Sequence, residues 1–289
     1  MNKETIKFTL SLILMGTIGV VSRFIHLEPY EIPVLRTSIG TIFLLIIFFI
    51  KKEKWTIVNH KEDILPIFIS GALLGLGWIF LHEGFAKLGV SLTIVLYYVG
   101  PAIVMILTPF LYKEEMTNEK IIGFTIVMIG VVFVNFNMFK EKTNLNNLIY
   151  GVLALLTYSG LLISNRYIKS VKGLENTILQ LISAFIVVYI YKIFRNGFAI
   201  KINANDLPYI LYLCIVDTGI SSHLYYSTLN NLPMQTACIL GYVDPLSSLV
   251  FSYILLHERL MPIQIVGAMF IMSGVLIAQL LHINKLLKQ

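Results

Sequence analysis

Residues 88–131 read LGVSLTIVLYYVGPAIVMILTPFLYKEEMTNEKIIGFTIVMIGV. Residues 232–275 read LPMQTACILGYVDPLSSLVFSYILLHERLMPIQIVGAMFIMSGV. The two align without a gap at a constant offset of 144 residues. Leu96, Tyr98, Val99 and Pro101 recur as Leu240, Tyr242, Val243 and Pro245, and Glu114 recurs as Glu258. Gly123, Met128, Gly130 and Val131 recur as Gly267, Met272, Gly274 and Val275. Apolar residues coincide by chance. A proline, a glutamate and a spaced glycine pair at matching positions do not. A long-period repeat in an apolar chain implies a membrane protein assembled from two halves, the plan of many transporters.

The chain has 289 residues, 57% hydrophobic and 13% charged. Soluble domains carry roughly a quarter charged residues, so there is too little polar surface here for a water-soluble globule. Ten apolar segments fall at about 6–25, 31–50, 64–86, 90–112, 120–138, 148–168, 174–194, 207–229, 233–256 and 261–281. Each is close to the roughly 20 residues that cross a bilayer. The expected fold is therefore an all-α integral membrane protein. The longest polar gaps are Lys51–Asp63, Lys140–Asn147 and Asn196–Asp206, none long enough for a soluble domain. The Lys140–Asn147 gap divides the chain into a repeat over residues 1–139 and another over 148–282. Five helices is an odd number, so the second half enters the membrane upside down and the ten helices form two inverted five-helix repeats.

Lys and Arg set the orientation. With the N-terminus in the cytoplasm, more of them lie in cytoplasmic segments than in outer loops, chiefly in Lys51–Lys61 and Arg166–Lys172. Both termini are expected inside, in the cell membrane. The net charge of +6 resides between the apolar runs, not in a stripe beside exposed aromatics. Membrane lipids are thus expected partners and nucleic acid is not. The first apolar run lacks a small-residue cleavage site and reads as a retained helix. Cys214 and Cys238 fall in apolar runs and read as small buried residues. The oligomeric state is not legible.

Pro101 and Pro245 lie near the middle of the fourth and ninth segments, where a proline frees the carbonyl four residues back and kinks the helix. The carbonyls concerned are those of Tyr97 and Gly241. A free carbonyl in hydrocarbon must face protein, water or a ligand, and inverted symmetry puts both kinks near the midplane. Asp244 precedes Pro245, while Gly100 takes that place in the first half. A charge there costs roughly 2.5–3.5 kcal/mol unless it faces a cavity or a partner. Trp78, Tyr97, Tyr98, Tyr226 and Tyr242 concentrate on the same helices, and their polar groups need partners. With Asp244 they make a candidate pocket for an amino acid, an aromatic metabolite or a small cation. Arg36 either snorkels to the outer interface or presents a cation to an anionic solute. His223 is a candidate proton relay or solute donor, or a packing histidine. Asp244, His223, Glu83 and Asp217 are the candidates for proton or ion coupling. Glu83 has a simpler reading as an i,i+4 partner of Lys87. Glu114 and Glu258 are expected at opposite membrane faces, each organising the turn into the next helix.

There is no GxxxxGK[ST] loop and no GxSxG elbow. The histidines at 26, 60, 82, 223, 257 and 282 show no metal spacing, so no metal or cofactor is expected. A membrane enzyme would need acids, histidines or a nucleophile clustered at one face, and the sequence offers none. A non-transporting scaffold would tolerate loss of Asp244, Tyr98 and His223.

The pattern resembles the EamA family of the drug/metabolite transporter superfamily. The stretches that carry the resemblance are Tyr98-Val99-Gly100-Pro101 with Lys113-Glu114-Glu115 and Gly123, and Tyr242-Val243-Asp244-Pro245 with His257-Glu258-Arg259 and Gly267. The resemblance spans nearly the whole chain and is clearest in helices three to five and eight to ten. It implies a non-enzymatic secondary transporter with a central cavity, moving small-molecule solutes such as amino acids, outward or inward. It implies no particular substrate or coupling residue.

Overall fold

The computed structural model describes residues 3–136, 145–257 and 261–286. Glu258 and Arg259 lie outside the described residues, as does most of the gap that divides the chain. All regular structure among the described residues is helical. Ten rods follow one another: α1 (Lys3–Phe24), α2 (Glu31–Ile50), α3 (Ile64–Lys87), α4 (Val90–Tyr112) and α5 (Asn118–Val134), then α6 (Leu148–Asn165), α7 (Gly173–Asn196), α8 (Ala204–Leu229), α9 (Met234–Leu256) and α10 (Pro262–Leu286). Eight are long and apolar enough to cross a membrane. The other two are α5, of 17 residues, and α10, whose described apolar stretch is Pro262–Ala278.

Three rods are interrupted where the sequence suggested continuous helix. α1 breaks after Met15 at Gly16-Thr17 and closes in a 3-10 turn, Ser22–Phe24. α8 contains a π-helical stretch, Leu213–Ile220. α9 breaks at Gly241-Tyr242, between Met234–Leu240 and Val243–Leu256. Pro245 is therefore not a mid-helix kink. It stands in the first turn of a new helix, where its missing N–H costs nothing. The Gly241 carbonyl is not left free either, since it accepts from Asp244 N–H at 3.3 Å. Pro101 does lie inside one continuous helix.

Equivalent residues end equivalent helices. Lys113 closes α4 and His257 closes α9, both left-handed, at φ 54° and 52°. The contacts are also paired. α5 packs on α10, α2 on α7 and α4 on α9, while α3–α6 is matched by α8–α1, α3–α7 by α8–α2, and α4–α6 by α9–α1. Advancing every helix number by five carries this set onto itself.

The spaced glycines sit at the tightest crossing. A Cβ on Gly123 would stand 2.6 Å from the Gly274 carbonyl oxygen, and one on Gly130 would stand 2.7 Å from that of Gly267. Since 123 meets 274 and 130 meets 267, α5 and α10 run antiparallel. Without glycine the backbones could not approach this closely. Gly71 and Gly75 do the same for α3 against Gln180 and Ala184 of α7.

Polar contacts gather at two ends of the bundle. At one, Asp63 accepts from the N–H groups of Lys169, Ser170 and Val171, and Glu175 accepts from those of Thr56 and Ile57. Arg166 there donates to the Asn230 and Leu232 carbonyls, both at 3.0 Å. At the other end Asp206 holds His26, and Lys87 reaches Tyr150. Glu114 lies at the Asp63 end, but it does not organise the turn into α5. Its two oxygens accept from Met234 N–H at 2.8 Å and Gln235 N–H at 3.1 Å, capping the start of α9. A carboxylate suits that position because a helix N-terminus presents unpaired N–H groups and positive potential.

Candidate functional site

Two clusters form in the middle of the bundle, and their charges act on one another. The first centres on Arg36, six residues into α2, which is 4% exposed. It does not snorkel. Its Nη2 donates to Asp217 Oδ2 at 2.7 Å and its Nε to Thr218 Oγ1 at 2.8 Å. Its guanidinium lies 4.0 Å from the centre of the Trp78 ring. An arginine over tryptophan keeps its planar donor fork and gains from the ring's negative face. Asp217 and Thr218, consecutive in the π-helical stretch, both accept from this one guanidinium. Asp217 is 1% exposed, and its second oxygen, Oδ1, has no hydrogen-bond partner. Beside Arg36 lies a narrow apolar recess of about 10 Å³, bordered by Leu35, Ile210, Leu213 and Cys214 among others.

The second cluster is aromatic. Tyr97 of α4 stacks on Tyr158 of α6 with centroids 4.3 Å apart and planes 3° from parallel. Tyr98 Oη donates to Asp244 Oδ2 at 2.9 Å. Tyr242 is fully buried, and its Oη donates to the Tyr98 carbonyl at 2.7 Å. That carbonyl adjoins the one Pro101 deprives of a donor. The Gly100 carbonyl, just before the proline, accepts from Ser159 Oγ at 3.1 Å. Tyr226 is buried at 4%, edge-on to Tyr225.

Tyr97, Tyr158, Trp78 and Asp244 sit deep in the protein mass, yet each keeps part of its surface accessible. Arg36 lies close enough to act electrostatically on Asp244 and Tyr97 as well as Asp217. The site thus offers one cation, two carboxylates and a stacked aromatic wall, with no group of three or more metal-ligating side chains among the described residues.

The structure brings together Arg36, Trp78 and Asp217, and beside them Tyr97, Tyr98, Tyr242 and Asp244. Two candidates lie elsewhere. Glu83 takes Lys87 at 2.8 Å, Arg195 at 3.1 Å and the Tyr191 hydroxyl at 2.7 Å, tying α3 to α7 near the Asp206 end. His223 is half-buried towards Lys7 and Lys51, with an unpartnered Nδ1. The sequence reading missed Thr218 and Tyr158. Tyr158 lies midway along its apolar run, the same signal that singled out Tyr97. Thr218 became visible only through the π-helix.

Comparison with known proteins follows this geometry. The EamA-like transporter family matches residues 4–136 and again residues 145–280. The uncharacterized transporter YxxF of Bacillus subtilis is 25% identical over 276 residues, covering 93% of this chain and 87% of that protein. The riboflavin transporter ImpX of Fusobacterium nucleatum is 24% identical over 248 residues, covering 81% of this chain and 83% of its own. One crystal structure superposes with a TM-score of 0.84 at 13% identity, over 97% of this chain and 98% of the other, a likeness of fold alone. The chain is a multi-pass membrane protein that belongs to the EamA-like transporter family.

Proposed function

We propose that the protein is a secondary transporter that exports an amino acid or related small metabolite across the cell membrane by alternating access. The observation that carries this reading is that Arg36, inside the bundle, lies within electrostatic reach of Asp244 and of Tyr97, which stacks on Tyr158. A zwitterion needs a cation for its carboxylate and an anion for its ammonium, and an aromatic wall suits an apolar side chain. Asp244, Tyr97, Tyr98, Tyr226, Trp78 and Arg36 are the proposed solute contacts, and Tyr242 supports them from behind through the Tyr98 carbonyl. Inverted repeats over residues 1–139 and 148–282, with both termini in the cytoplasm, would put this site at the midplane. The five-step pairing of helix contacts and the antiparallel glycine crossing support that arrangement.

Labelled amino acids loaded into proteoliposomes test it. Saturable efflux that Asp244→Asn slows by about tenfold or more is expected. No flux and no binding across the common amino acids would remove the reading. A second reading, import of a cationic or vitamin-like metabolite, is favoured by one observation, the likeness to a riboflavin transporter. Riboflavin in the same assay separates the two.

A further inference from the structure

Resting on the reading that an amino acid occupies this site, we propose that the solute's carboxylate takes Arg36 away from Asp217. Asp217 takes up a proton as it is released, so each solute molecule moves with one proton. The geometry carries the first half. The Arg36–Asp217 pair uses one oxygen of the carboxylate and leaves Oδ1 unpartnered at 1% exposure. A guanidinium fork fits a carboxylate with two parallel bonds, so the native contact is less than Arg36 can make. Thr218 and Trp78 hold the guanidinium independently of Asp217.

Charge balance carries the second half. Before exchange, Arg36 neutralises Asp217. Afterwards Arg36 neutralises the solute carboxylate, and Asp217 would stand as a lone buried anion. Such an ion takes a proton rather than remain charged. The bond that breaks is the Arg36–Asp217 ion pair. The bonds that form are the Arg36–solute ion pair and one O–H on Asp217, with the proton drawn from the aqueous phase. The groups facing Asp217 favour this outcome. Arg36 of α2 is withdrawn. Asp244 of α9 is a like charge and opposes a second anion. From α8 itself come Cys214 and the hydroxyls of Thr218 and Ser221, the last engaged on the Asp217 carbonyl. Trp78 and His82 of α3 lie on the Arg36 side, where His82 Nδ1 donates to the Trp78 carbonyl at 2.7 Å. Asp244 keeps its bond from Tyr98 throughout. A solute leaving down its own gradient therefore carries a proton out with it.

Phenylalanine and phenethylamine share a ring and an ammonium and differ by the carboxylate. Calorimetric titration of the full-length protein near neutral pH, in two buffers of different ionisation enthalpy, counts the protons taken up with each. Phenylalanine should take up protons, at most one per site, and phenethylamine none. In Asp217→Asn, phenylalanine should bind about threefold tighter or better, because its competitor is gone, and with no proton uptake. Wild-type protein alone decides the matter should that variant fail to fold. Equal uptake with both compounds, or phenylalanine binding without uptake, overturns the exchange while leaving the transporter reading standing. Failure of every amino acid to bind removes the reading and the exchange together.

Discussion

Tyr242 donates its hydroxyl to the backbone carbonyl of Tyr98 at 2.7 Å, and these two tyrosines are the same position of the repeat, 144 residues apart. Their rings stand 5.8 Å apart. The relationship is not reciprocal. The Tyr98 hydroxyl turns instead to Asp244, the residue that has glycine as its counterpart in the first half. One duplicated tyrosine supports the backbone beside a proline, and the other holds a carboxylate.

That division predicts opposite effects of one substitution. Tyr242→Phe removes a donor from a buried carbonyl beside Pro101 and should cost about 1–3 kcal/mol. Thermal unfolding of the purified protein should show it as a lower midpoint. Tyr98→Phe leaves the backbone bond intact and should alter solute affinity more than stability. Equal loss of stability in the two variants would contradict the assignment.

Arg36→Ala leaves Asp217 buried without its cation and should destabilise the protein by about 3–5 kcal/mol. A double variant, Arg36→Met with Asp217→Leu, removes both charges and should recover most of that stability in a denaturation assay. It should not recover amino-acid binding. Recovery of both would show that Arg36 is a packing residue only.

Gly130→Ala forces a methyl against the Gly267 carbonyl, where the available distance is 2.7 Å. The α5–α10 crossing should open at a cost of about 1–3 kcal/mol. Gly267→Ala should do the same, since it meets Gly130 from the other side. Yield and unfolding midpoint after purification check this, and unchanged values for both would contradict the close antiparallel crossing.

Much of this molecule was legible in the sequence because hydrocarbon imposes simple rules. Apolar length located the rods, and the spaced glycines marked the face that α5 and α10 share. Arg36 and Asp217 were legible as ionisable residues inside apolar runs, which are rarely idle. Their partnership was not, because it joins positions 181 residues apart through a π-helical stretch that no sequence signal announced. The break at Gly241-Tyr242 was missed for a related reason. Pro245 reads equally well as a kink within a helix or as the first turn of a new one, and only the path of the chain decides. Glu114 was read as local to its own turn, while its carboxylate reaches the start of α9, 120 residues on.

Glu114→Gln keeps the shape and removes the charge from that cap. Two backbone N–H groups at the start of α9 lose a charged acceptor, and about 1 kcal/mol of stability should go with it. Because α9 carries Asp244, transport should slow as well. Hydrogen exchange over Met234–Leu240 is the check, with faster exchange expected and an unchanged rate contradicting the cap.

The most direct test of the central claim is efflux of labelled amino acids from proteoliposomes holding wild-type protein or Asp244→Asn. The account predicts saturable efflux of at least one amino acid by the wild type and a rate lower by about tenfold or more in the variant. Wild-type efflux that Asp244→Asn leaves unchanged, in a variant that folds and inserts as the wild type does, would contradict it.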